Sequence, residues 1–261
     1  MGEIKVGTCG WSGYRPGPGW KERFKSKLQA YSEAFAAVEI NSTFYQLPMV
    51  RTASRWREEA TPGMEFTLKA WQAITHPVNS PTWRKRAEKL TQDQKEAFGW
   101  FQWNREVESA WRETRKVAEA LNAAACVFQC PSSFECTPEN IQKVREFFSR
   151  IDRGGLVLAW EPRGDWNLHL ETVKDLCTEL DLIHVVDLLR REPVSAHPAA
   201  YVRLHGLNPR EYDYRYDYTE EELRELAARL INLSHTHHTV YCFFNNDAMF
   251  ANAARVMELL A

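Results

Sequence analysis

Eight short apolar runs punctuate the chain, and seven of them finish in a polar or charged side chain. These are Val38-Glu39-Ile40-Asn41, Phe66-Thr67-Leu68-Lys69, Cys126-Val127-Phe128-Gln129, Leu158-Ala159-Trp160-Glu161, Val185-Val186-Asp187, Val202-Arg203-Leu204-His205 and Cys242-Phe243-Phe244-Asn245. The remaining run, Ile4-Lys5-Val6-Gly7-Thr8-Cys9, opens the chain and ends in a glycine turn. Helical periodicity fills the gaps. Phe24, Leu28, Tyr31 and Phe35 recur at spacings of three and four and predict one helix from Trp20 to Phe35. Further helices are predicted over Val50 to Glu59, from Pro138 to about Ser149 with Thr137 as N-cap, and over Leu168 to Leu180. Thr219 and three glutamates open another, to about Asn232; Asn246 or Asp247 caps the last, to about Leu260. Alternating strands and helices imply parallel pairing. The expected fold is a closed (β/α)8 TIM-barrel-like domain over residues 1–261, with its site at the carboxyl rim. The alternative is an open doubly wound sheet, which would gather its site at one switch point.

Two connections are long. Residues 70–123 exceed a simple βα unit and carry His76-Pro77-Val78-Asn79-Ser80-Pro81 followed by a helical stretch to about Leu121. This is the expected helical insertion after strand three. Residues 206–218 hold Tyr212, Tyr214, Tyr216 and Tyr218. Long loops on the carboxyl side of a barrel are where ligands are usually held.

Strand side chains alternate in direction. If Val38 and Ile40 cover the helices, Glu39 and Asn41 face the barrel interior or its mouth. The same parity turns Thr67, Lys69, Ala159, Glu161, Tyr201, Arg203 and His205 inward, with Arg163 continuing the phase past its strand. Gln129, Asp187 and Asn245 end their strands on the same rim. The expected product is one charged cup of Glu39, Asn41, Lys69, Gln129, Glu161, Arg163, Asp187, Arg203, His205 and Asn245. Buried unpaired charge costs several kcal/mol per ion, so such a set must pair and serve a ligand, or pair only to hold the barrel. Glu161 with Arg203 and Glu39 with Lys69 are the pairs expected in the second case.

Bulk properties narrow the class. The chain has 261 residues, 44% of them hydrophobic, and a net charge of −2. That supports a large core and argues against a protein built mainly to coat nucleic acid or an anionic membrane. No basic segment followed by an apolar stretch opens the chain, and no run approaches a membrane span, so a cytoplasmic protein without a membrane partner is expected. Cys126, Cys130 and Cys136 lack zinc-ribbon spacing and read as small buried hydrophobes. Cys9, in the glycine turn, leaves a thiol role open.

Several of these segments also carry a family likeness. Gly7-Thr8-Cys9-Gly10-Trp11, Val38 through Tyr45 with Pro48, Lys69-Ala70 with Ile74-Thr75-His76, and Phe128-Gln129-Cys130-Pro131 resemble the YecE-like family, the domain of unknown function numbered seventy-two. So do Trp160-Glu161-Pro162-Arg163 with Trp166, Tyr201 through Gly206, and Phe243-Phe244-Asn245-Asn246. The likeness runs in order from about residue 3 to residue 255. It implies a TIM-barrel-type fold and no particular reaction; apurinic-site endonucleases and xylose-isomerase-like enzymes are analogies of fold alone. The tryptophan-rich stretch from Phe98 to Trp111 and the cysteine in Gln129-Cys130-Pro131 depart from the family pattern.

Three functions remain open at this level. The first is an enzyme for an anionic, phosphorylated substrate, hydrolase or isomerase/lyase in type. Lys69, Arg163 and Arg203 would clamp the anion, Glu161 or Glu39 would be the base, and His205 or His76 the acid, with Asp187 as a further catalytic candidate. Asn41, Tyr45, His76, Gln129, Asn245 and Asn246 complete the substrate-binding set. Glu39, Glu161, Asp187 and His205 are also candidate ligands for a divalent metal, Mn, Mg or Zn. The second is a nucleic-acid-binding protein or metal-dependent nuclease, using Trp83-Arg84-Lys85-Arg86, Arg105, Arg112, Arg115 and Lys116 with Trp71, Trp100, Trp103 and Trp111 for stacking. The third is a non-catalytic small-ligand binder walled by Trp11, Tyr14, Phe44, Tyr45, Trp166 and Tyr214.

Overall fold

Strand β1 (Glu3–Thr8) pairs in parallel with both β2 (Ala37–Ile40) and β8 (Thr239–Phe244), which closes the sheet. Between them β3 (Glu65–Lys69), β4 (Ala125–Gln129), β5 (Val157–Glu161), β6 (Ile183–Val186) and β7 (Ala199–Leu204) follow in chain order to complete an eight-stranded parallel barrel. This computed structural model describes residues 1–261, with the Lys85 side chain outside the described residues. Among those residues no helix is long and apolar enough to cross a membrane.

The pleat sorts each strand as its pattern requires. Val38, Ile40, Phe66, Leu68, Phe128, Leu158, Trp160, Val202, Leu204 and Phe244 turn outward and join the buried layer under the helices. Each such side chain contributes roughly 1.5–3 kcal/mol by leaving water. A second cluster fills the barrel itself, with small Ala37, Ala125 and Ala159 making room for Tyr201, Tyr241 and Phe243. The amino end is plugged by charge. Lys5 bonds to Glu65 and lies 3.1 Å from Glu3, and the Tyr241 hydroxyl donates to Glu65 at 2.6 Å. The interior is therefore packed below and polar above.

Helices join most strands, with three departures from expectation. The segment Trp20–Phe35 is two helices, Trp20–Arg23 and Lys27–Ala34, because the Ser26 hydroxyl accepts from Gln29 N and starts a new helix. The last helix, Met249–Leu260, is not capped by Asn246 or Asp247; Ala248 holds the cap position. The connection from β6 to β7 has no helix. The helices Val50–Glu59, Pro138–Arg150 and Glu220–Ser234 form as expected, the last with a capping box between Thr219 and Glu222.

The insertion after β3 packs against the barrel. It contains Gln72–Thr75, a 3-10 turn at Arg84–Lys89, and helices Gln92–Ala97 and Arg105–Leu121. Its tryptophans serve the core: Trp83 stacks on Phe98 at 5.7 Å, Trp111 packs on Phe128, and Trp103 meets Phe147 edge-on. Gly99 is the pivot. At φ +93° it donates to Ala73 O at 2.8 Å, and a Cβ there would sit 2.4 Å from Pro77 N. Trp100 and Phe101, also left-handed, donate to Thr75 O and Ile74 O. The returning insertion thus clamps the short helix that ends at His76.

Candidate active site

The strand ends of β2, β3, β4 and β8 and the segment after β5 converge on a cavity of about 520 Å³ at the carboxyl rim. Asn41, Lys69, Gln129, Arg163 and Asn245 form its wall from the barrel side. Phe44, Tyr45 and His76 close one flank, Ser132 and Ser133 another, and Tyr214 hangs over the mouth. Pleat direction is a local property, and it turns Asn41 and Lys69 toward this end of the barrel.

Beneath this wall lies a buried chain of charge. Arg203 reaches both carboxylates. Its Nε and Nη2 donate to Glu39 Oε2 and Oε1, each at 2.9 Å, and its Nη1 bonds to Glu161. Arg163 Nε donates to the other oxygen of Glu161 at 2.6 Å. Glu39 is fully enclosed, and Tyr201 and Cys9 also donate to it, at 2.9 and 3.1 Å. Since Tyr201 gives its proton to Glu39, the Thr67 hydroxyl must donate to Tyr201, at 2.7 Å. Burial alone would raise the Glu161 carboxyl, but Arg163 and Arg203 overcome it and hold Glu161 well below the usual carboxylate range. Burial, reinforced by Glu39, raises the Cys9 thiol, so it stays protonated.

Of the two expected pairs, Glu161 with Arg203 forms and Glu39 with Lys69 does not. The Lys69 Nζ donates to Gln129 Oε1 at 2.8 Å and lies 4.0 Å from the Phe44 ring centre. Arg203 makes a longer contact, 3.3 Å, to the same amide oxygen. Burial, then repulsion from Arg203 and Arg163, brings Lys69 down to about 7 against partial support from the carboxylates. An ordinary lysine amine is protonated at neutral pH; this one gives up its proton more readily.

Both histidines are held neutral. Burial takes His205 down to about 4, although its Nε2 lies 3.6 Å from Glu161 Oε1. Asn245 Nδ2 approaches His205 Nδ1 at 3.4 Å, which places the proton on Nε2, toward Glu161. His76 is pushed well below its usual value by burial and by Lys69; its Nδ1 meets the Thr75 hydroxyl at 2.8 Å and its ring packs on Phe44.

Two expected members stand apart. Asp187 accepts from Leu189 N at 3.1 Å and His205 N at 3.3 Å, and burial raises its carboxyl to about 6. It braces the β6–β7 turn and does not join the carboxylate–arginine chain. Asn246 faces away from the cavity; its Nδ2 donates to Tyr216 O at 2.8 Å and Asn252 Oδ1 at 2.7 Å. The metal reading loses its geometry too. Both Glu39 oxygens are taken, Arg203 stands between Glu39 and Glu161, and among the described residues no three His, Cys, Asp or Glu side chains are grouped to hold an ion.

Two site aromatics lie outside the strands: Phe44, expected as a ligand wall, meets Lys69, and Tyr212 of the tyrosine-dense connection lies under Arg163, whose guanidinium is 3.7 Å from its ring centre. Neither position is set by strand parity. Gly206, at φ +98° with Tyr216 close against it, makes the turn that folds the tyrosine loop back over His205.

A closed parallel barrel with a charged bowl at its carboxyl rim makes this a TIM-barrel-like protein. It belongs to the family described as protein of unknown function DUF72, whose model matches residues 5–261. Bacillus subtilis YunF, a UPF0759 protein, is 25% identical over 287 residues, covering 98% of this chain and 94% of the relative. A DUF72 family protein from Thermotoga maritima superposes with a TM-score of 0.69 at 23% identity, over 99% of both chains. One from Enterococcus faecalis reaches 0.71 at 18% identity, over 100% of this chain and 98% of the other. Endonuclease IV from Thermus thermophilus shares the fold at a TM-score of 0.51 and 11% identity, over 98% and 97%.

Proposed function

We propose that the chain is an enzyme that takes a small anionic substrate, phosphorylated or carboxylated, into the rim cavity and transfers protons there. The observation that carries this reading is Lys69. The buried site holds two carboxylates, Glu39, engaged by Arg203, and Glu161, engaged by both Arg203 and Arg163. The third cation, Lys69, pairs with neither and borders the cavity. An anion bound beside Arg163 would offset the repulsion that depresses Lys69 and increase its affinity for a proton as substrate arrives. Lys69 therefore replaces Glu39 and Glu161 as the proton acceptor: one carboxylate is sealed and the other has low basicity. Arg163 and the Ser132–Ser133 segment would hold the anion, and Asn41, whose Oδ1 is buried without a partner, would accept from a substrate hydroxyl.

Weighing against a nucleic-acid reading, Trp83 and Trp111 are buried, and Trp71, Trp100 and Trp103 are partly buried against the core. Arg112, Arg115 and Lys116 are paired with Glu108, Glu119 and Glu113.

Thermal-shift titration with sugar phosphates, oxo acids and their uncharged parents tests the reading. The charged compounds are expected to raise the melting temperature of the wild type and to fail with Arg163→Met. Equal shifts from charged and uncharged members would overturn it.

A further inference from the structure

We propose that Lys69 is a covalent residue, whose Nζ forms an imine with the carbonyl carbon of a small anionic carbonyl compound bound in the rim cavity. The proposal rests on the anion-handling reading above and names its substrate class.

The geometry is that of an amine kept for carbon. Lys69 ends β3 and contributes to the wall of a cavity sized for a small metabolite. Its Nζ has one close protein partner, the Gln129 amide oxygen, and the Phe44 ring on another side. Among the described residues no carboxylate forms an ion pair with it. A lysine used only as a fixed cation would gain from such a pair, and two carboxylates are nearby. Both are instead bound by arginines, which keep their charge. Desolvation and a neighbouring cation are the two means by which a lysine becomes nucleophilic, and Lys69 has both. The ring of Phe44 would in turn support the cationic nitrogen of the product. Arg163 borders the same cavity and supplies the contact for the substrate's anionic group.

Imine formation here needs only one proton from the medium and releases one water. The Nζ lone pair forms a C–N bond to the carbonyl carbon, and the carbonyl oxygen becomes a hydroxyl by taking one of the Nζ protons. That hydroxyl leaves as water after accepting one proton from the medium, while the nitrogen lone pair closes the C=N bond. The resulting iminium withdraws electrons from the adjacent carbon, where a C–H or C–C bond can then break.

Reduction with borohydride traps such an imine. The full-length protein is incubated with triose phosphates, with 2-oxo acids such as glyoxylate, and with uncharged glyceraldehyde, then reduced and mapped by mass spectrometry. The expected result is one adduct per chain, on Lys69, absent in Lys69→Arg and Lys69→Met. The anionic probes should label about tenfold faster than the uncharged one, the factor one charged hydrogen bond supplies. Arg163→Met, which keeps Lys69, should lose that preference. Which anionic arm labels faster separates phosphate from carboxylate as the recognised group; either supports the proposal. Labelling spread over surface lysines at equal rates overturns it. So does no label at all: if the same anions still raise the melting temperature of wild type and not of Arg163→Met, the imine falls and anion binding stands. If they shift neither, both fall.

Discussion

Arg203 grips Glu39 through two parallel hydrogen bonds, Nε to Oε2 and Nη2 to Oε1, both at 2.9 Å, in the fully buried centre of the barrel. Bidentate guanidinium–carboxylate pairing fixes direction as well as charge. It turns the remaining Nη1 of Arg203 toward Glu161 and so aligns the whole chain out to Arg163.

Removing Arg203 leaves two buried carboxylates without that partner. Arg203→Met should cost about 3–5 kcal/mol of folding free energy. For a chain of this size that is roughly 2–4 °C of melting temperature per kcal/mol. Urea denaturation followed by circular dichroism measures it, and a loss below about 1 kcal/mol would mean the pair is solvated.

Lys69 makes stability depend on pH in an unusual direction. Its folded value, about 7, lies below the ordinary 10.5, so between those limits the unfolded chain binds more protons. Stability from this group is present above the unfolded value and is lost as pH falls toward about 7. Lys69→Met should therefore be more stable than wild type at pH 6, by on the order of a few kcal/mol, and the gap should close toward pH 10. Paired denaturation curves across that range test it; a constant gap would contradict the depressed lysine.

Gly99 ties the insertion to the site. A Cβ would strike Pro77 N at 2.4 Å and the His76 carbonyl carbon at 2.6 Å, at a φ of +93°. Gly99→Ala should cost about 1–3 kcal/mol from backbone strain alone. It should also shift the His76 ring resonances in a proton–nitrogen correlation spectrum. Unchanged His76 signals with unchanged stability would show that the clamp is slack.

The buried tryptophans make a prediction about DNA. Single-stranded oligonucleotides at physiological salt should bind no tighter than the non-specific range, about 10⁻⁴ to 10⁻⁶ M, by fluorescence anisotropy. Binding in the nanomolar range, weakened by Trp100→Ala, would favour the nucleic-acid reading.

How much of this was legible in the chain varies by residue. Helix 138–150 announces itself through Thr137 and Pro138, whereas the break at Ser26 hides inside an unbroken apolar stripe. Inward direction was readable for Glu39, Lys69, Glu161 and Arg203, because the strand pleat is a local rule. Of the partners, only Glu161 with Arg203 was legible. Arg203 meets Glu39 across the barrel, and Lys69 meets Gln129 on the adjacent strand, because closure and stagger decide which inward side chains share a level. Asp187 and Asn246 lie on the predicted rim but are captured by backbone groups of turns whose path only the folded chain defines. Alternation along the strands thus determined that a charged bowl forms at one end of a barrel. Tertiary packing decided that its carboxylates are sealed by arginines and that one lysine is left facing the cavity, since pairing of buried charge depends on distances between segments far apart in sequence.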